Sequence, residues 1–214
     1  MDHPPRHPRA WAQPGNRPLV VLGRSQQGWP VHRVLAVRQR ASGGGAVLSG
    51  PWMLRSAVRL PRDHPLLKRG PAAAARWFGD LHLEWLQAQG VRGLERYEGP
   101  LQDHWSCFSG RGPGEVLVDG RKLVGIAQRW RRRDALLSAG TLLAVPPWEL
   151  LCAALGRAPA VADELARDTI AASECLGHAP DPMHWAGSLR HALHAALATL
   201  PPPSAAPLAE GEPS

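Results

Sequence analysis

The chain has 214 residues, 44% hydrophobic and 20% charged, which is enough to bury one substantial core and too apolar for global disorder. Twenty-five basic residues against 18 acidic ones leave a net charge of +7, which favours anionic partners: nucleic acid, a phosphate-bearing cofactor or an acidic protein surface. No apolar run approaches the ~20 residues of a membrane span, and residues 1–9 carry no export-type apolar segment, so a soluble cytoplasmic protein with no membrane association is expected.

The ends read as poor in structure. Residues 1–17 hold prolines, histidines and arginines without periodicity, and 201–214 resemble a solvated tail, so both are expected to be disordered around one domain at 18–200. Within it, Leu19-Val-Val-Leu22 reads as a buried strand stopped by Gly23, and Val31 to Val37 as a second one leading to Ser42-Gly-Gly-Gly45. Met53 to Leu60 alternates as a third. Pro71 opens a helix with Trp77, Leu81, Trp85 and Leu86 on one face, and Gly90 ends it. Strands resume at Glu115–Val118 and Leu123–Trp130, with Asp119-Gly120 as a hairpin turn between them, and at Thr141–Val145. The last third is helical: Trp148–Leu155, Ala160–Leu176 closed by Gly177, and a helix begun by Asp181-Pro182 with an apolar stripe from Trp185 to Leu200. Strands first and helices last predict an α+β domain, a mixed or antiparallel sheet backed by helices.

Three segments could carry chemistry. In Arg40-Ala-Ser-Gly-Gly-Gly-Ala-Val47, consecutive glycines let backbone N–H groups approach a ligand and Arg40 supplies charge, although a flexible connection is the plainer reading. Lys122, in Gly120-Arg-Lys-Leu-Val-Gly-Ile-Ala-Gln128, sits just past a tight turn where an ammonium could pin a carbonyl or phosphate oxygen, or be a solvated strand end. Only Lys68 and Lys122 are lysines, which adds weight to one inside a motif; the arginine excess fits a GC-rich coding bias and is set aside. Cys107, in Trp105-Ser-Cys-Phe108, is either a small buried hydrophobe or an acyl-accepting nucleophile. With Cys152 and Cys175 it makes three widely spaced cysteines, neither a disulfide framework nor a zinc site.

In order, Leu19-Val-Val-Leu-Gly-Arg-Ser-Gln26, the Arg40 glycine loop, Ser106-Cys-Phe108 and the Lys122 strand resemble the lipoate–protein ligase and octanoyltransferase family, which shares its catalytic fold with biotin–protein ligases. The resemblance spans roughly Leu19 to Leu200. It implies attachment of a lipoyl or octanoyl group to one lysine of a lipoyl-carrier domain of 2-oxoacid dehydrogenase or glycine cleavage proteins. It also implies that Arg40, Ser42, Gly43, Gly44, Gly45 and Ala46, with Gly125 and Ala127, line the acyl or acyl-adenylate site. Lys122 inherits the role of hydrogen-bonding the acyl carbonyl. Ligases of the family activate lipoate with ATP, and hence Mg, as an acyl-adenylate. Cysteine-type octanoyltransferases take the acyl group from a donor such as acyl carrier protein as a thioester, on a cysteine placed as Cys107 is. Two positions depart from the pattern: Ser49 stands where a histidine usually follows the glycine loop, and Ala139 where one usually follows the lysine strand, while Ile126 replaces a small polar residue. An active transferase or ligase and an inactive module that binds lipoate or a lipoyl domain are thus the two readings.

Weaker signals surround these. Arg129-Trp-Arg-Arg-Arg133 could bind nucleic acid, but a solvated strand end is the preferred reading, and the family resemblance adds a third, a patch that steers an acidic lipoyl domain. His184, His191 and His194 find no carboxylate or cysteine to complete a ligand set, so no metal site is expected.

Overall fold

The computed structural model describes residues 7–29, 32 and 35–200. In chain order the elements are strands Arg9–Pro14 (β1), Leu19–Leu22 (β2), Ala36–Gln39 (β3), Val47–Ser49 (β4) and Met53–Pro61 (β5), then helices Pro65–Lys68 (α1) and Pro71–Ala88 (α2). Strands Leu94–Arg96 (β6), Val116–Val118 (β7), Arg121–Trp130 (β8) and Asp134–Leu142 (β9) follow, and helices Trp148–Ala154 (α3), Ala160–Asp168 (α4), Ala172–Leu176 (α5) and Pro182–Thr199 (α6) complete them.

Two sheets form. The larger runs β1-β5-β9-β8-β7-β6, antiparallel throughout. The smaller runs β3-β2-β4, parallel between β2 and β3 and antiparallel between β2 and β4. The architecture is the expected α+β domain with a sheet backed by helices.

Alternation along β5 divides the large sheet's two faces. Leu54, Val58 and Leu60 are fully buried, and Ser56 reaches His82 of α2, so the even positions face the helices. Helix α6 covers β1 and β5, and α2 covers the other end. Trp85 locks the two helices together, stacking edge-on against Trp185 at 5.1 Å and donating its indole N–H to Ser188. Arg55, on the odd face, looks toward the small sheet. Asp119 and Gly120 both have positive φ, 49° and 72°, the primed turn that an Asp-Gly hairpin needs between β7 and β8.

Several expectations are corrected. Residues 9–14 are not disordered: β1 is an edge strand whose backbone pairs with β5 from Arg9↔Arg59 to Pro14↔Leu54, a pairing that needs no apolar pattern beyond the buried Ala12. Residues 1–6 and 201–214 lie outside the described residues. The second strand is Ala36–Gln39, and residues 30, 31, 33 and 34 of the expected Val31–Val37 also lie outside. The Thr141–Val145 strand is the end of the longer β9, which stops at Leu142. The helix expected over Ala160–Leu176 breaks at Thr169–Ala171, because Ile170 N–H donates to the Lys122 carbonyl and the chain runs extended beside β8. β4 and β6, three residues each, are too short to stand out in sequence.

Candidate functional site

A cavity of about 200 Å³ lies between the two sheets. Its floor is the odd face of the large sheet, where one rung reads Gln13–Arg55–Gly140–Gly125 across β1, β5, β9 and β8. Both glycines of that floor lie under neighbouring side chains, Met53 Sδ 2.9 Å from where a Gly140 Cβ would sit and the Phe108 ring 3.5 Å from where a Gly125 Cβ would sit. Val21 and Val47 of the small sheet form the roof, and Trp11, Met53 and Cys107 wall the sides. Among the described residues the lining is mostly apolar, with two guanidinium groups, Arg40 and Arg55, and no carboxylate.

The glycine loop holds Cys107 in place. A Cβ on Gly45 would lie 2.5–2.6 Å from His104 O, Trp105 O and Ser106 C, so only glycine lets the loop press on the segment before Cys107. Gly44 has φ +88°, a left-handed turn that glycine adopts without strain. Ala46 N–H donates to Trp105 O at 2.7 Å and Cys107 N–H to Ala46 O at 2.9 Å. Arg40 Nη2 clamps the loop through Gly45 O at 2.8 Å. Gln26 ties β2 into the same junction, donating to Trp105 O at 2.8 Å while it accepts from Gly23 N–H at 3.0 Å.

Lys122 is fully buried. Its ammonium donates to Cys107 O at 2.7 Å and pairs with the Glu115 carboxylate at 2.6 Å, 5.9 Å from the Phe108 ring. Glu115 also accepts from Ile126 and Gly112 N–H. Burial pushes its carboxyl above the usual carboxylate range, against the opposing pull of the ammonium and the two N–H donors. The peptide of Cys107 is thereby fixed at both ends, its N–H by Ala46 and its C=O by Lys122.

Of the residues named from sequence, Arg40, Cys107, Gly125 and Ala127 line the cavity. Lys122 does not: it stands behind Phe108, bound to Glu115. Gly44 and Gly45 line a second hollow of about 350 Å³ with Trp29, Asp103 and His104. Ser42, Gly43 and Ala46 line neither. The positions of the missing histidines, Ser49 and Ala139, are both at the cavity, as is Ile126. Glu115 and Arg55 escaped the sequence reading. Glu115 is one acidic residue before a strand, and Arg55 is one arginine among many; only the alternation of β5, which puts Arg55 on the face opposite Leu54, singles it out.

Residues 6–161 match the lipoyl protein ligase A/B catalytic domain, and the chain belongs to that family. No curated protein matches it. The fold is similar to that of a candidate lipoate protein ligase of T. acidophilum with bound lipoic acid (TM-score 0.68, 16% identity, 89% of this chain and 73% of that one). It is similar to lipoate-protein ligase A bound with ATP (0.65, 14%, 89% and 73%). A third likeness is to the bipartite lipoate protein ligase studied with its E2 lipoyl domain from Thermoplasma acidophilum (0.66, 16%, 89% and 71%). Among the described residues no helix is long and apolar enough to cross a membrane.

Proposed function

We propose that this chain carries an acyl group in protein lipoylation, moving it from a thioester donor to a lysine of a lipoyl-carrier domain through Cys107. The observation that carries this reading is Cys107 in the wall of an apolar cavity, its backbone pinned on both sides. Cys107 Sγ attacks the acyl carbonyl carbon: a C–S bond forms, the donor's C–S bond breaks, and the thiol proton passes to the departing sulfur. The carrier lysine's amine then attacks the same carbon, an amide forms, and Cys107 regains its proton. Lys122 acts here as a positioning residue, through the Cys107 carbonyl, rather than on the acyl oxygen.

The ATP-dependent route has less support: among the described residues the hollow beside the glycine loop takes in the Asp103 carboxylate, with Arg157 stacked on its Trp29 and Trp105 rings as the nearby positive charge, and Lys122 is engaged with Glu115 rather than free for a phosphate. A non-catalytic acyl-binding module is the second reading, favoured by Ser49 and Ala139 at the cavity in place of histidine. Acyl carrier protein fits as donor, a cytoplasmic setting suits both readings, and the basic Arg129–Arg133 edge suits an acidic carrier domain. Intact-mass measurement after incubation with octanoyl carrier protein separates them. An octanoyl adduct lost in Cys107→Ala is expected. Turnover that needs ATP and free lipoate and survives Cys107→Ala contradicts the thioester route, and no adduct with retained acid binding leaves the module.

A further inference from the structure

We propose that Arg55 makes the β5 end of this cavity a carboxylate subsite, so that the cavity binds an acid with a second anion at its far end more tightly than one that ends in a methyl group. Arg55 stands two strands from Gly125 and Phe108, roughly 10 Å along the rung at ~4.8 Å per strand, so it faces the far end of a chain whose reacting carbon lies at Cys107. Between them the floor is Gly140 and Gly125, with the flexible side chain of Met53 lying over Gly140.

Arg55 is half-buried at the cavity. A guanidinium presents five N–H donors and no acceptor, and a donor held out of water without a partner is costly. Among the described residues the buried Nε of Arg55 has no hydrogen-bond partner, and neither has that of Arg40. Arg40 uses one donor on Gly45 O, while Arg55 forms no ion pair among the described residues. An apolar tail laid against Arg55 would deepen the cost, whereas a carboxylate meets the planar fork with two charge-assisted bonds. At about 200 Å³ the space suits a small organic acid.

The identity of the acid as an acyl substrate rests on the acyl-transfer reading; the subsite itself does not. Calorimetric titration with suberate and octanoate, both eight carbons long, tests it in wild type, Arg55→Lys and Arg55→Met. Wild type is expected to bind suberate about tenfold or more tightly than octanoate, since a charge-assisted bond is gained at one end only. Arg55→Lys should keep part of that preference and Arg55→Met should reverse it. Equal or tighter binding of octanoate by wild type overturns the subsite, and so does inorganic phosphate competing as well as suberate, which marks a site for any anion. The wild-type ratio decides the matter even if Arg55→Met does not fold. Comparing suberoyl and octanoyl thioesters as donors keeps the two readings apart. Suberate preference without a Cys107 adduct ends the transfer reading alone, and an octanoyl adduct without an Arg55-dependent preference ends the subsite alone.

Discussion

Lys122 and Glu115 turn a family motif into an internal anchor in this chain. Their ion pair is buried on both sides, 1% and 4% exposed, and spends the ammonium on a carboxylate and on the Cys107 carbonyl. Removing one partner of such a pair leaves an uncompensated charge, which typically costs about 3–5 kcal/mol. Lys122→Met is therefore expected to lower the urea-unfolding free energy by that amount and to release the Cys107 peptide, raising the rate at which iodoacetamide alkylates Cys107. A loss of activity with unchanged stability and alkylation would instead mark Lys122 as acting on substrate. Sequence could not separate these roles, because Lys122 stands in the expected motif either way and its partner lies just before another strand.

Among the elements, α2 and β5 are joined by a polar tie that titrates. His82 is fully buried; its ring nitrogens meet Phe78 O at 2.7 Å and Ser56 Oγ at 2.8 Å, which suits a neutral imidazole donating to the carbonyl and accepting from the hydroxyl. Burial, partly offset by the Phe78 bond, pulls its pKa from 6.5 down to about 4. The unfolded chain thus binds the proton more readily. The resulting stability is complete above pH 6.5 and is lost as pH falls toward 4, by about 3 kcal/mol over that window. Urea titrations at pH 7 and 4.5 should show this loss in wild type and a flatter dependence in His82→Phe; equal slopes would contradict it. The long elements were legible in sequence because their signals are local: the Trp77–Leu86 stripe of α2, the Asp-Gly turn, the Asp181 cap of α6. β1 was not, since an edge strand among prolines borrows its order from β5. The break at Thr169–Ala171 was not, since it exists only because β8 offers the Lys122 carbonyl.

For the whole molecule, two sheets face each other across one small cavity, and the chain's positive charge reaches its interior as well as its surface. The motifs pointed to the glycine loop, Cys107 and Lys122, and the fold joins all three, yet through hydrogen bonds behind the cavity more than through its lining. Arg55 was invisible because its meaning depends on which face of β5 the small sheet covers. A crystal structure grown with suberate tests the site most directly. Density is expected along the Gly140–Gly125 floor, one carboxylate on the Arg55 guanidinium and the other beside Cys107 Sγ. Suberate found only in the hollow beside Gly44 and Trp29, or on the surface, with Arg55 turned away from the cavity, would contradict it.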